Sequence, residues 1–205
     1  MDQEKKIMKQ NKILFVSKST FLVFIIFFIF SGCGLKQESL SINHYGIDFK
    51  TQKKAEVSKL KSILIEEVNV NRSFNLTAIF YSTKPYLFEE YAQNRWINLP
   101  SNMIYNQLTD SFITSNIFEN VVLKDKKIEH EYSLKTEVIK LYQTFEEDKS
   151  YAVLKLKFDL VKDEKIVKSF NFDKKVLCKS NNAYGFVQAT NKAFEESINS
   201  LLSSF

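Results

Sequence analysis

The sequence predicts an α+β fold in which a largely antiparallel β-sheet carries two main helices packed on one face. Between residues 132 and 178, apolar and polar residues alternate in three successive runs, as they do in strands with one solvent-exposed face. The breaks at 146–149 and 162–165 are short and charged, so neighbouring strands are expected to form antiparallel hairpins. Two other stretches repeat apolar residues at helical spacing and predict the two helices.

The first predicted elements are short. Residues 41–49 are predicted to form a first strand, and residues 51–61 form a lysine-bearing connector. The compact apolar run Ile63-Leu64-Ile65 and the stretch 76–81, which is rich in β-forming residues, predict two further strands. None of these segments contains residues that suggest a catalytic role.

A helix is predicted to begin at Pro100, because proline is tolerated in a first turn, where its missing N–H would be unpaired anyway. The helix is predicted to end near Ser115-Asn116 and to be followed by a short strand at 118–123. Apolar residues recur along it every four positions and form one stripe, which consists of Ile104, Leu108 and Phe112.

Three longer strands and a final helix complete the predicted domain. The apolar positions of the strands are Tyr132, Leu134, Thr136 and Val138, then Leu154, Leu156, Phe158 and Leu160, then Phe170, Phe172, Val176 and Cys178. The final helix carries Phe194, Ile198, Leu201 and Phe205 on one face. Because Cys178 lies within an alternating run, we interpret it as a small buried residue.

Residues 1–32 are predicted to be a lipoprotein signal peptide. Five lysines precede or border the apolar run 21–30, which is short for a membrane-spanning helix but suits the hydrophobic region of a secretory signal. The run ends in Phe30-Ser31-Gly32-Cys33, which resembles a bacterial lipobox, where the signal peptidase cuts before a cysteine that receives diacylglycerol. Cys33 is therefore the predicted site of lipid attachment, with acyl chains such as palmitate that hold the protein on a membrane.

This assignment divides the chain into three parts. Residues 1–32 are the signal peptide, residues 33–40 are a lipidated tether, and residues 41–205 are a single periplasmic domain. The residue after the cysteine is Gly34 rather than the aspartate that retains lipoproteins in the inner membrane of enteric bacteria. The expected location is therefore the periplasmic side of the outer membrane.

The charge of the chain argues against nucleic-acid binding. The whole chain has 29 basic and 24 acidic residues, and five of those lysines with two of those acids precede Cys33, so the remainder has a net charge of about +2. The remainder also contains no arginine-rich stretch that could neutralise phosphates. With Cys33 acylated, Cys178 would have no partner for an internal disulfide.

No enzymatic activity is predicted, and neither a metal nor another cofactor is expected. The two histidines, His44 and His130, have no second histidine or cysteine at metal-ligand spacing. After the predicted signal peptide, the only glycines are Gly34, Gly46 and Gly185, so no glycine-rich loop can hold a phosphate.

One stretch, residues 80–122, carries a resemblance to a known family. The features that carry it are Tyr81-Ser82-Thr83-Lys84-Pro85-Tyr86, the pair Arg95-Trp96, the helix-starting Pro100, and Ile117-Phe118-Glu119-Asn120-Val121. This pattern resembles the auxiliary lipoprotein component of ABC-type transport systems, the family that includes the paraquat-inducible intermembrane transport lipoproteins. The resemblance implies a non-catalytic lipoprotein that works with an MCE-domain protein and an inner-membrane ABC permease in lipid transport between membranes. It also implies a possible homo-oligomer.

The resemblance directs attention to Tyr86, Tyr91, Arg95 and Trp96 as a hypothetical partner-binding group. Aromatic residues and arginine dominate interface hot spots. For Trp96 we favour a place in the core, at a junction between sheet and helix, and for the other three residues an interface and a core role stay open. An alternative function from another class is an outer-membrane assembly lipoprotein that plugs or chaperones a β-barrel partner.

Overall fold

The computed structural model describes residues 41–205 except residues 53, 125 and 127. The predicted signal peptide, Cys33 and the tether therefore lie outside the described residues. In chain order the elements are β1 (Asn43–Tyr45), β2 (Leu60–Ile65), β3 (Asn69–Val70), β4 (Ala78–Ser82), β5 (Glu89–Trp96), α1 (Pro100–Ser115), β6 (Phe118–Leu123), β7 (Tyr132–Glu146), β8 (Lys149–Lys162), β9 (Lys165–Leu177) and α2 (Ala183–Leu202).

Strands β7, β8 and β9 form a long antiparallel meander. Each connection has two residues between the strands, as the charged breaks in the sequence predicted. In the second connection both central residues, Asp163 and Glu164, have positive φ angles of 47° and 60°. Two consecutive positive φ angles are typical of the turn whose twist matches that of antiparallel strands.

The prediction of a largely antiparallel sheet is wrong, because the sheet is mixed. One edge of β7 pairs with β8, but its other edge pairs in succession with β2, β3 and β4, and all three run parallel to it. The pairs β1–β5 and β2–β6 are parallel as well. Alternation of apolar residues reports which face of a strand is buried, but it does not show which distant strands pair with it along its other edge. The fold still has both helices and a sheet and is α+β in class.

A β-bulge at Ile139 divides β7 into two halves. Val138 pairs with Leu156, whereas Lys140 pairs with Lys155, so Ile139 has no partner on β8. The extra residue shifts the alternation by one position, and the buried residues therefore change from even to odd numbers after the bulge. The shift places Gln143 on the buried face of the sheet.

The core lies between the two helices and the buried face of the sheet. Phe112 of α1 and Phe186 and Phe194 of α2 are fully buried in it. Burial of one such side chain contributes about 1.5–3 kcal/mol. Asparagine, a residue favoured at helix ends, caps one end of each helix. Asn116 ends α1 in the left-handed conformation, and Asn182 accepts a hydrogen bond from the N–H of Gly185 at the start of α2. Within the described part of the chain, neither helix combines the length and the apolar character that a membrane span requires.

Candidate docking surface

We call residues 78–96 the aromatic hairpin. It consists of β4, a connecting turn and β5, which pair antiparallel. β5 was not predicted as a strand, because its sequence, EEYAQNRW, shows no alternation of apolar and polar residues. The hairpin contains three of the four predicted partner-binding residues along β5 and the fourth in its turn.

The turn of the aromatic hairpin presents Tyr86 to solvent. The N–H of Leu87 donates to the carbonyl of Lys84 at 3.2 Å, with Pro85 and Tyr86 between them. Tyr86 has a φ angle of +69°, so this is a type II turn with proline at its second position. The third position of such a turn strongly favours glycine, and a tyrosine there is strained by about 1–2 kcal/mol. The side chain of Tyr86 is 99% exposed, so it makes no packing contact that offsets this cost.

Tyr81 and Tyr91 connect one side of the hairpin to β7. The rings of Tyr81 and Tyr91 lie 4.7 Å apart, and Tyr81 also contacts Phe145 edge-on at 5.9 Å. The hydroxyl of Tyr91 donates to Oε1 of Gln143 at 2.6 Å. Burial, together with the neighbouring Tyr81 and Cys178, raises the pKa of Tyr91 to about 12. Tyr91 is thus a neutral hydrogen-bond donor that ties β5 to β7.

Gln143 is the centre of a buried polar network. Its Nε2 donates to Oγ of Ser150 at 2.8 Å and lies 3.5 Å from the carbonyl oxygen of Asn182, the residue that caps α2. It also lies 3.9 Å from Sγ of Cys178. Burial raises the pKa of the Cys178 thiol, which stays protonated near neutral pH. The network therefore joins the aromatic hairpin, β7, β8 and the start of α2.

The other side of the hairpin rests on a second aromatic group. Tyr142 stacks on Phe74 at 5.7 Å and meets Phe88 edge-on at 5.1 Å, and Phe74 also contacts Phe80. Because successive side chains of a strand point to opposite faces, Tyr142 and Gln143 support the hairpin from the two faces of the sheet. The base of the hairpin is therefore held on both sides, while its turn projects.

The other predicted site residues lie in the hairpin base. Arg95 folds back along its own strand and donates from Nη1 to the carbonyl oxygens of Tyr91 and Asn94. Its Nη2 lies 3.7 Å from a carboxylate oxygen of Glu90. Trp96 is only 2% exposed, and its ring packs 5.9 Å from that of Phe186. Trp96 thus lies in the core, at a junction between sheet and helix.

The structure therefore separates the four predicted site residues by role. Tyr86 is displayed, Tyr91 and Arg95 stabilise the base, and Trp96 packs in the core. Gln143 is a site residue that the sequence did not predict. It is a polar residue beyond the alternating run of β7, and continued alternation would place it on the exposed face. The bulge at Ile139 reverses the alternation and buries it. Among the described residues, His, Cys, Asp and Glu side chains do not gather into a group of three or more that could hold a metal ion.

Comparison with known proteins establishes the fold. No protein-family model matches the chain, and no curated protein matches it in sequence. The crystal structure of a Xanthomonas campestris protein described as belonging to the DUF330 family matches with a TM-score of 0.69 and 15% identity, covering 78% of this chain and 92% of that one. A second crystal structure, of a protein described as uncharacterized, matches with a TM-score of 0.64 and 11% identity, covering 80% of this chain and 98% of that one.

Proposed function

We propose that this protein is a membrane-anchored, non-catalytic auxiliary component of an ABC-type intermembrane lipid transport system. In this proposal Cys33 attaches the chain to the periplasmic face of the outer membrane, and the domain docks on an MCE-domain protein that works with an inner-membrane permease. The sequence features that support it are the lipobox-like end of the apolar run and the Tyr-x-x-x-Pro-Tyr and Arg-Trp pattern of the aromatic hairpin.

The observation that carries the docking role is the conformation of Tyr86. A large aromatic side chain stands fully exposed at a position where its backbone is strained. Strain of this kind persists where the surrounding structure over-determines it, and it is typical of functional positions. The hairpin base supplies that constraint through Tyr91 and Gln143 on one side and Phe88 and Tyr142 on the other.

A displayed tyrosine on a fixed base is well suited to binding. Tyrosine gives a large contact area with few rotatable bonds, so little conformational entropy is lost when it enters a pocket of the partner. The base of the hairpin need not rearrange, which lowers the cost of association. Tyr86 is therefore the proposed anchor of the docking surface, whereas Tyr91 and Arg95 hold it in position.

The test is affinity purification of the tagged full chain from mildly solubilised envelopes of its host, with partners identified by mass spectrometry. Tyr86→Ala is compared with Ile166→Ala, which removes a half-exposed apolar side chain at the start of β9, at the end of the meander opposite to the hairpin. We expect enrichment of an MCE-domain protein or its permease with the unmodified chain and with Ile166→Ala, and its loss with Tyr86→Ala. Recovery of a β-barrel protein alone would contradict the transport assignment.

A further inference from the structure

A groove with a volume of about 750 Å³ lies beside the exposed side of α2, and none of its lining residues belongs to the aromatic hairpin. Its other walls are the end of β9 and the chain that follows β1. The apolar lining combines buried residues at the bottom with half-exposed residues at the sides, and it consists of Phe49, Val187, Ala189, Val176, Leu177 and Tyr184. Its volume is within the range of about 300–1,000 Å³ that is usual for sites that bind small molecules.

The wall formed by residues 46–50 is held in place by α2. The side chain of Asn191 donates from Nδ2 to the carbonyl of Gly46 at 3.2 Å, and its Oδ1 accepts from the N–H of Asp48 at 2.8 Å. The ring of Phe49 stacks on Phe194 at 6.0 Å with an interplanar angle of 10°. The groove is therefore formed by ordered contacts of the fold itself.

The charged residues of the groove are mostly cationic. Lys50, Lys179 and Lys192 line it, against the carboxylates of Asp48 and Glu195. Within the described part of the chain, Lys50 and Lys179 make no ion pair, and Lys192 approaches a glutamate beyond the groove only at 3.9 Å. The carboxylate of Asp48 faces α1, where it lies 3.5 Å from Nε2 of a glutamine. Two lysines are thus available to an anion at the rim.

The groove does not have the properties of a site for an added β-strand. Among the described residues β9 pairs only with β8, so its outer edge is open. On that strand Lys168 and Lys174 point to the face covered by α2, where Lys174 lies 3.5 Å from a carboxylate oxygen of Glu196. Lysines that point inward on an edge strand are a common protection against pairing with another strand.

We propose that this groove binds a single acyl chain that carries an anionic head group. The apolar side chains along its bottom would cover the hydrocarbon, and Lys50 and Lys179 at the rim would pair with the carboxylate or phosphate. The site shares no residue with the aromatic hairpin, so this proposal does not depend on the docking function.

The experiment uses the full chain in nanodiscs of phosphatidylcholine and a photoreactive analogue of palmitic acid, with the equivalent photoreactive hexadecanol as a neutral probe. Labelled peptides are identified by mass spectrometry. We expect labelling to concentrate in peptides that contain residues 176–179 and 184–195, and the acid to label them about tenfold more than the alcohol because of its charge-assisted contacts. Labelling spread over the surface, or equal for the two probes, would overturn the proposal.

Two matched pairs of variants, on β9 and just beyond its end, locate the site. Leu177→Glu places a charge in the apolar lining, whereas Ile166→Glu changes a residue of nearly equal exposure, 58% against 54%, at the other end of the same strand. Leu177→Glu should abolish the labelling and Ile166→Glu should retain it. Lys179→Glu should remove the preference for the acid, and Lys165→Glu should not. Equal labelling of Leu177→Glu and Ile166→Glu, or an equal preference for the acid in Lys179→Glu and Lys165→Glu, would refute the assignment. Undiminished recovery of the MCE-domain protein with Leu177→Glu would show that docking does not depend on acyl-chain binding.

Discussion

Replacing Tyr86 with glycine should make the protein more stable while it removes the proposed docking contact. The φ angle of +69° costs a tyrosine about 1–2 kcal/mol, and glycine adopts it freely. Glycine also increases the entropy of the unfolded chain, which costs about 0.4–1 kcal/mol. Because the exposed ring makes no packing contact to lose, the net gain in the free energy of unfolding is about 0.5–1 kcal/mol.

Urea unfolding measures this gain. With an m value of about 2 kcal/mol/M, the unfolding midpoint should rise by about 0.4 M at constant m. Tyr86→Ala is the matched control, because alanine keeps the strain of the left-handed conformation but loses the ring. Alanine should therefore leave the midpoint nearly unchanged and reduce docking as much as glycine does. This combination separates the effect of the ring from the effect of the backbone.

Two results would refute this reasoning. A lower unfolding midpoint in Tyr86→Gly would mean that contacts of the tyrosine ring stabilise the fold. The exposed tyrosine would then not reduce the free energy of unfolding. Undiminished recovery of the partner with both variants would remove Tyr86 from the docking surface.

Four further predictions concern the base of the hairpin, the buried polar network and the start of α2. Tyr91→Phe should destabilise the protein by about 1–3 kcal/mol, because it leaves the buried Oε1 of Gln143 without its donor, and Tyr91→Phe combined with Gln143→Leu should lose less than the two single changes together. Since the folded pKa of Tyr91 is about 12 against an ordinary value of 10.0, its contribution should be complete below pH 10 and lost as the pH rises towards 12, a loss that Tyr91→Phe should not show in alkaline unfolding. Gly185→Ala should unfold or strongly destabilise the protein in thermal melting, because its Cβ would lie 2.1 Å from a backbone oxygen, whereas Gly46→Ala, with nothing within 4 Å, should melt normally. Cys178 should resist a thiol reagent at pH 8 until the chain unfolds, since it is buried and its thiol pKa is raised, and rapid native-state labelling would contradict its place in the network.

The meander and both helices could be predicted from the sequence because their signals are local. Each strand of the meander follows its partner after two residues, and period-two alternation marks which residues face the core. Pro100 similarly marks the start of α1, and the recurring apolar residues mark its buried stripe. The sequence allows Tyr86 to be either at an interface or in the core, because no local pattern distinguishes an exposed aromatic residue from a buried one in a turn.

The parallel half of the sheet and the polar network were decided by tertiary structure. Ile65 pairs with Leu134 and Tyr81 with Gln143, and partners so distant in the chain leave no mark in a local pattern. The bulge at Ile139 also reversed the expected faces of the second half of β7, and only that reversal brings Gln143 into the core within reach of Tyr91. The sequence by itself determined the meander strands and both helices, since alternation and helical periodicity are properties of neighbouring residues, but it did not mark β3 or β5. Only the tertiary structure decided how strands pair across the sheet and which aromatic residue of the hairpin stays in solvent, because both depend on contacts between distant parts of the chain.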